Sequence, residues 1–97
     1  MIFMVIERFK DGDAKPVYRR FLEKGRLAPD GLKYIESWVE TDFARCFQLV
    51  ECEDESLLRQ WMAAWQDLVD FEFVTVVSSE QAVEMIKPLL SSSISST

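Results

Sequence analysis

Six polar side chains interrupt runs that are otherwise apolar and β-branched: Glu7, Arg8, Glu36, Ser37, Gln48 and Glu51. Polar groups buried inside such runs need partners, so they either satisfy one another or face a ligand. Arg8, Glu36, Trp38 and Gln48 have spacing compatible with one shared pocket, and they are the candidate ligand-binding residues. Register decides the matter, because an odd–even change in hairpin length would bring Ser37 to that face instead. A structural ion pair across a dimer explains these residues equally well. No residue is singled out as catalytic.

Much familiar chemistry is excluded by residue type. The chain has no histidine, so it holds no Ser-His-Asp triad, no Cys-His pair and no histidine metal site. Its three glycines are scattered and form no phosphate-cradling loop. Cys46 and Cys52 lie on one expected strand, where about 3.3 Å per residue separates them by roughly 20 Å, too far for a disulfide. Two cysteines cannot form a four-cysteine zinc site, and Cys46 reads as a small buried hydrophobe. Glu53, Asp54 and Glu55 suit helix capping better than a metal cluster. No metal and no cofactor is expected.

The charge pattern limits the partners. The net charge of −6 argues against general nucleic-acid affinity. Residues 8–33 carry eight basic groups against four acidic ones, and the remainder three against thirteen. A basic first helix on an acidic body is an ordinary solvated surface or an anion-binding face. The apolar run at residues 2–6 is short and ends at Glu7 and Arg8, so neither a signal peptide nor a membrane association is expected. A reducing cytoplasm is the expected location.

These residues must be held by alternating strands and helices. Residues 2–9 read as a strand, and Asp11-Gly12-Asp13 as a turn and cap before a helix ending near Lys24 with Gly25 as its stop. The apolar stripe of that helix is Val17, Tyr18, Phe21 and Leu22. Residues 32–40 and 44–52 form a hairpin about Thr41-Asp42-Phe43. Asp54 caps a second helix, whose Leu57, Trp61, Ala64, Trp65 and Leu68 recur at helical spacing. Residues 70–77 form the fourth strand, and Asp67 and Asp70 mark the turn before it. Ser78 and Gln81 start a last helix with a capping box, ending near Lys87-Pro88. The order predicts an α+β, ferredoxin-like βαββαβ domain over residues 1–90 with an extra C-terminal helix, strands 1 and 3 central. Residues 91–97 read as a disordered serine-rich tail.

Two main helices cover only one sheet face, yet the strands are apolar on both. Phe3 and Val5 alternate with Met4 and Ile6, and Phe71, Phe73 and Val77 with Val74 and Val76. Strands apolar on both sides are buried on both sides. A homodimer pairing the bare faces, the dimeric α/β-barrel, is therefore expected. The alternative is a monomer whose last helix folds over the bare face.

The stretches MVIERFKDGDAKPVYRRF, LKYIESWVE, CFQLVECED and WQDLVDFEFVTVVSSEQA resemble a small bacterial family of single-domain proteins of unknown function, over about residues 1–87. The resemblance implies the dimeric α/β-barrel fold and brings no activity and no site residues. More distantly, the fold is similar to cofactor-independent monooxygenases, haem-degrading enzymes and small isomerases, which often use histidine, asparagine or tryptophan. This chain has neither histidine nor asparagine. The expected function is binding of a small, partly apolar molecule between two sheets. Enzymatic turnover is left open, with a cofactor-free oxygenase or isomerase using Trp38 with Glu36 or Arg8 as one alternative and a structural interaction module with a filled barrel as the other. A cavity above roughly 300 Å³ with convergent polar groups would favour a ligand.

Overall fold

The structure, a computed structural model, describes the backbone of residues 1–95 and the side chains of residues 1–90. Strand β1 (Ile2–Phe9) passes through a 3₁₀ turn (Lys10–Gly12) into helix α1 (Lys15–Lys24). The hairpin β2 (Lys33–Val39) and β3 (Arg45–Glu51) follows, then helix α2 (Glu55–Ala63), strand β4 (Val69–Val76) and helix α3 (Ser79–Ser95). The sheet order is β2-β3-β1-β4, with every neighbouring pair antiparallel. This is the ferredoxin-like arrangement, with β1 and β3 central and a helix appended at the C-terminus.

Local chemistry sets the boundaries. The Asp54 carboxylate accepts the Ser56 amide at 2.8 Å and so caps α2. Ser78 and Gln81 exchange the two bonds of a capping box at the start of α3. Gly25 ends α1 with φ 74° while its amide donates to the Phe21 carbonyl at 2.7 Å.

The core lies between one sheet face and the helices α1 and α2. Phe3, Val5 and Phe9 of β1, Cys46 and Val50 of β3 and Val69 of β4 meet Val17, Leu58, Trp61 and Trp65 there. Phe3 and Phe73 pack edge to face at 5.9 Å, which favours the aromatic quadrupoles as well as burial. Arg20 ties α1 to the turn before β4. Its guanidinium forks onto Asp67 at 2.8 and 2.6 Å and reaches the Ala64 carbonyl at 3.0 Å. That pairing holds the Asp67 carboxyl well below its ordinary value, at about 2.

Two expectations need correction. Leu22 is 82% exposed and does not belong to the α1 stripe, which at its position has already turned from the sheet. The last helix does not end at Lys87-Pro88, because α3 runs through Pro88 to Ser95. A proline lacks only its own amide bond and crowds one preceding carbonyl, so a helix can continue past it with a local distortion. Of the segment read as a disordered tail, residues 91–95 have helical backbone, and residues 96 and 97 lie outside the described residues. Residues 79–90 of α3 are exposed throughout, so the helix does not fold over the bare sheet face.

Candidate functional site

Strand pairing determines which side chains share a face. In the β1–β3 ladder Val5 lies opposite Gln48 and Glu7 opposite Cys46. Odd positions of β1 therefore share a face with even positions of β3, and that face is the one under the helices. In the hairpin Ser37 lies opposite Gln48 and Trp38 opposite Phe47. A bulge at Ile35 then shifts the register, placing Tyr34 on the same face as Ser37 although the two are three residues apart.

The four residues expected to share a pocket are thus divided. Gln48 is buried beneath the helices, whereas Arg8, Glu36 and Trp38 lie on the opposite, uncovered face. Arg8 reaches across to Glu72 at 3.3 Å, Glu36 is exposed and Trp38 is 48% exposed. The hairpin register, which sets Ser37 rather than Glu36 or Trp38 opposite Gln48, removes those two, and the long-range pairing of β1 with β3 removes Arg8.

Gln48 instead belongs to a half-open pocket of about 140 Å³ between α1, the sheet and the end of α2. Phe9, Val17, Tyr18, Phe21, Val39, Trp61 and Trp65 make most of its wall. Glu7, Arg26, Ser37, Cys46 and Gln48 bring polar atoms to it. Gln48 links them: its amide donates to the Glu7 carboxyl, and its oxygen accepts from Arg26 Nε at 3.4 Å. Arg26 Nη2 also donates to Ser37 Oγ at 3.5 Å, and Ser37 shares a 2.8 Å hydrogen bond with the Tyr34 hydroxyl.

Arg26 lies on a segment with little freedom. Gly25 and Leu27, on either side, have φ of 74° and 60°. Its carbonyl accepts both indole N–H groups, from Trp61 at 2.9 Å and Trp65 at 2.8 Å. Its guanidinium stacks 3.6 Å from the centre of the Tyr34 ring and 5.2 Å from that of Phe21, a cation–π arrangement on two sides. The two tryptophans thus build the pocket wall and fix the backbone of its cation.

The remaining groups resist ionisation. Glu7 is 5% exposed, and burial raises its carboxyl above the ordinary value, against the opposing pull of Gln48, Cys46 and Arg26. Burial, with Glu7 alongside, pushes the Cys46 thiol up to about 12, so it is a poor nucleophile. Burial also raises Tyr18, as do Cys46 and Glu7. Among the described residues no three His, Cys, Asp or Glu side chains stand together as a metal site.

A pH dependence follows from Glu7. Its native carboxyl holds its proton more tightly than in the unfolded chain, so the associated stability is complete below the unfolded pKa near 4.5 and declines as pH rises through the native pKa. Glu7→Gln keeps an acceptor for Gln48 and cannot ionise. It is expected to be more stable than the parent at pH 8, by about 1.4 kcal/mol per unit between native and unfolded pKa. Urea unfolding between pH 4 and pH 8 measures this, and parallel curves for the two proteins would contradict it. Tyr18 and Cys46 stay protonated across that window.

Glu7, Ser37 and Gln48 stood out in the sequence as polar interruptions of strands. Arg26 did not, because it follows the helix stop in an irregular segment and resembles the surface cations around it. No helix among the described residues is long and apolar enough to cross a membrane. Residues 1–90 match the family described as Domain of unknown function (DUF3303). No curated protein and no solved structure matches the chain.

Proposed function

The chain belongs to the DUF3303 family, whose description assigns no activity, and we propose from its own geometry that it is a homodimeric small-molecule-binding protein. The supporting observation is the half-open pocket on which Glu7, Arg26, Ser37 and Gln48 converge from three elements and a pinned loop. A largely apolar cavity with a few placed polar groups is the usual form of a ligand site. The binding site is thus within each subunit, beneath α1, rather than between two sheets. Its size is below the roughly 300 Å³ of drug-sized sites, so the ligand is a fragment-sized molecule. Binding or sensing fits better than turnover, since the thiol is held protonated and the carboxyl disfavours its basic form.

The dimer is supported by the uncovered sheet face. Ile2, Met4 and Ile6 of β1, Phe47 and Leu49 of β3, Val74 and Val76 of β4 and Trp38 of β2 form a band across all four strands. Arg8, Arg45, Asp70 and Glu72 border it at one end, Lys33 and Glu51 at the other, and Glu36 borders it along the edge strand β2. Contiguous apolar area with a charged rim is the pattern of an association surface, and a second copy provides a matching one.

A structural reading competes on one observation: every buried side-chain nitrogen and oxygen among the described residues has a partner. Ligand-observed NMR with a library of monocyclic fragments separates the two. Binding is expected for the parent chain and is expected to vanish in Ser37→Leu, which fills the pocket from β2. A library without a single pocket binder would leave the polar cluster as packing alone.

A further inference from the structure

The charge balance of the pocket narrows the ligand class, an inference that rests on the pocket being a binding site. Arg26 is half-buried and has no carboxylate within ion-pair distance among the described residues. Two of its donors make long contacts, at 3.4 and 3.5 Å, to the neutral oxygens of Gln48 and Ser37. Nη1 donates to no protein group among the described residues, which leaves donors for an incoming oxygen. By contrast Arg20 and Arg45 are each forked onto a carboxylate.

Every other ionisable group on the pocket wall opposes negative charge of its own. Glu7, Cys46 and Tyr18 all have their acid forms favoured by burial. Arg26 is thus a cation with no carboxylate in ion-pair contact among the described residues, set in largely apolar surroundings where an ionic hydrogen bond is stronger than in water. Its volume, about 140 Å³, is close to that of a cavity of about 150 Å³ that accommodates benzene. The rings of Phe21 and Trp61 and the methyls of Val17 provide walls suited to a flat apolar body.

We infer that the pocket takes a small monocyclic aromatic carboxylate, its carboxylate on Arg26 and its ring against Val17, Phe21 and Trp61. The carboxylate takes the free Nη1 donors, so Arg26 keeps its contacts to Gln48 and Ser37 and binding strands no buried group. Arg26 needs little rearrangement, because two indoles hold its backbone and Tyr34 its guanidinium plane.

The test compares benzoate, benzamide and benzylamine against the full chain, by titration calorimetry and by backbone amide shifts of Ser37, Cys46 and Gln48. Benzoate is expected to bind and to move those amides. Benzamide, neutral and of the same shape, should bind at least tenfold more weakly, and benzylamine not measurably. Arg26→Gln should weaken benzoate at least tenfold without weakening benzamide, and Arg26→Lys should restore part of the loss. Benzamide binding in the pocket as tightly as benzoate would overturn the carboxylate class while leaving the binding site in place. Failure of all three probes to bind would remove the aromatic carboxylate class, while the fragment library alone decides whether the pocket binds a ligand of another class. Benzoate affinity unchanged in Arg26→Gln would overturn the assignment of its carboxylate to Arg26.

Discussion

Trp61→Ala is expected to lose about 3–5 kcal/mol of stability, the usual range for truncating a buried aromatic to alanine. Trp61 is 2% exposed, packs at 6.3 Å from Phe71 and meets the core from α2. Domains of this size have about 5–15 kcal/mol in total, so the variant should be partly unfolded at 37 °C. Loss of the indole also removes one of the two bonds to the Arg26 carbonyl. Trp61→Phe and Trp65→Phe separate packing from hydrogen bonding. Each alone leaves the carbonyl one indole, and should cost about 1 kcal/mol beyond its change in volume. Together they leave the Arg26 carbonyl without either donor, and the double variant should lose more than the two singles combined. Urea unfolding followed by far-ultraviolet circular dichroism gives all four values. A Trp61→Ala loss below 1 kcal/mol would mean that α2 is not held on the sheet as described.

That coupling of core to pocket shows which parts of the molecule are legible in a sequence. Helix and strand positions were, because they depend on neighbours: Asp54 before its helix, Ser78 and Gln81 three apart, Gly25 after a stripe. Trp61 and Trp65 recur at helical spacing and both are buried, although α2 ends at Ala63 and Trp65 sits in the turn after it. The face shared by two strands depends on a pairing formed across roughly forty residues of chain. Gln48 and Arg8 have the same parity and still lie on opposite faces, since the Cα partners in β1 and β3 sum to an odd number. The bulge at Ile35 adds a second parity change that no turn residue announces. Arg26 is the sharper case. Its role comes from two indole donors that arrive from 35 and 39 residues away, and its own neighbourhood says only that a helix has ended. Asp67 likewise marks a turn in the sequence, and only the fold brings Arg20 to it.

The other large effect concerns the uncovered face, where Leu49→Lys should convert the proposed dimer into a monomer. Leu49 lies opposite Met4 on one side and Glu36 on the other, near the middle of the apolar band. Met4 on one side is apolar, and the Glu36 carboxylate on the other would have to be desolvated together with the added ammonium at the centre of a two-sheet interface. The two-fold relation would bring a second lysine close to the first, so desolvation and like-charge repulsion act together. Several kcal/mol of interface energy is lost, which raises the dissociation constant by at least about a hundredfold, since 1.4 kcal/mol is tenfold. The folded subunit should be spared, because Leu49 points away from the core beneath α1 and α2 and a lysine there is free to reach water. Light scattering and sedimentation at micromolar concentration measure the mass, and circular dichroism checks the fold. The parent chain is expected at twice the monomer mass of 11.3 kDa, and Leu49→Lys at the monomer mass with an unchanged spectrum. Arg8→Ala, at the charged end of the same face and already paired with Glu72 inside its own subunit, should leave the dimer intact. A parent chain that is monomeric at these concentrations would remove the dimer outright. A Leu49→Lys protein that stays dimeric would place the interface elsewhere, and exposed α3 would be the next surface to examine.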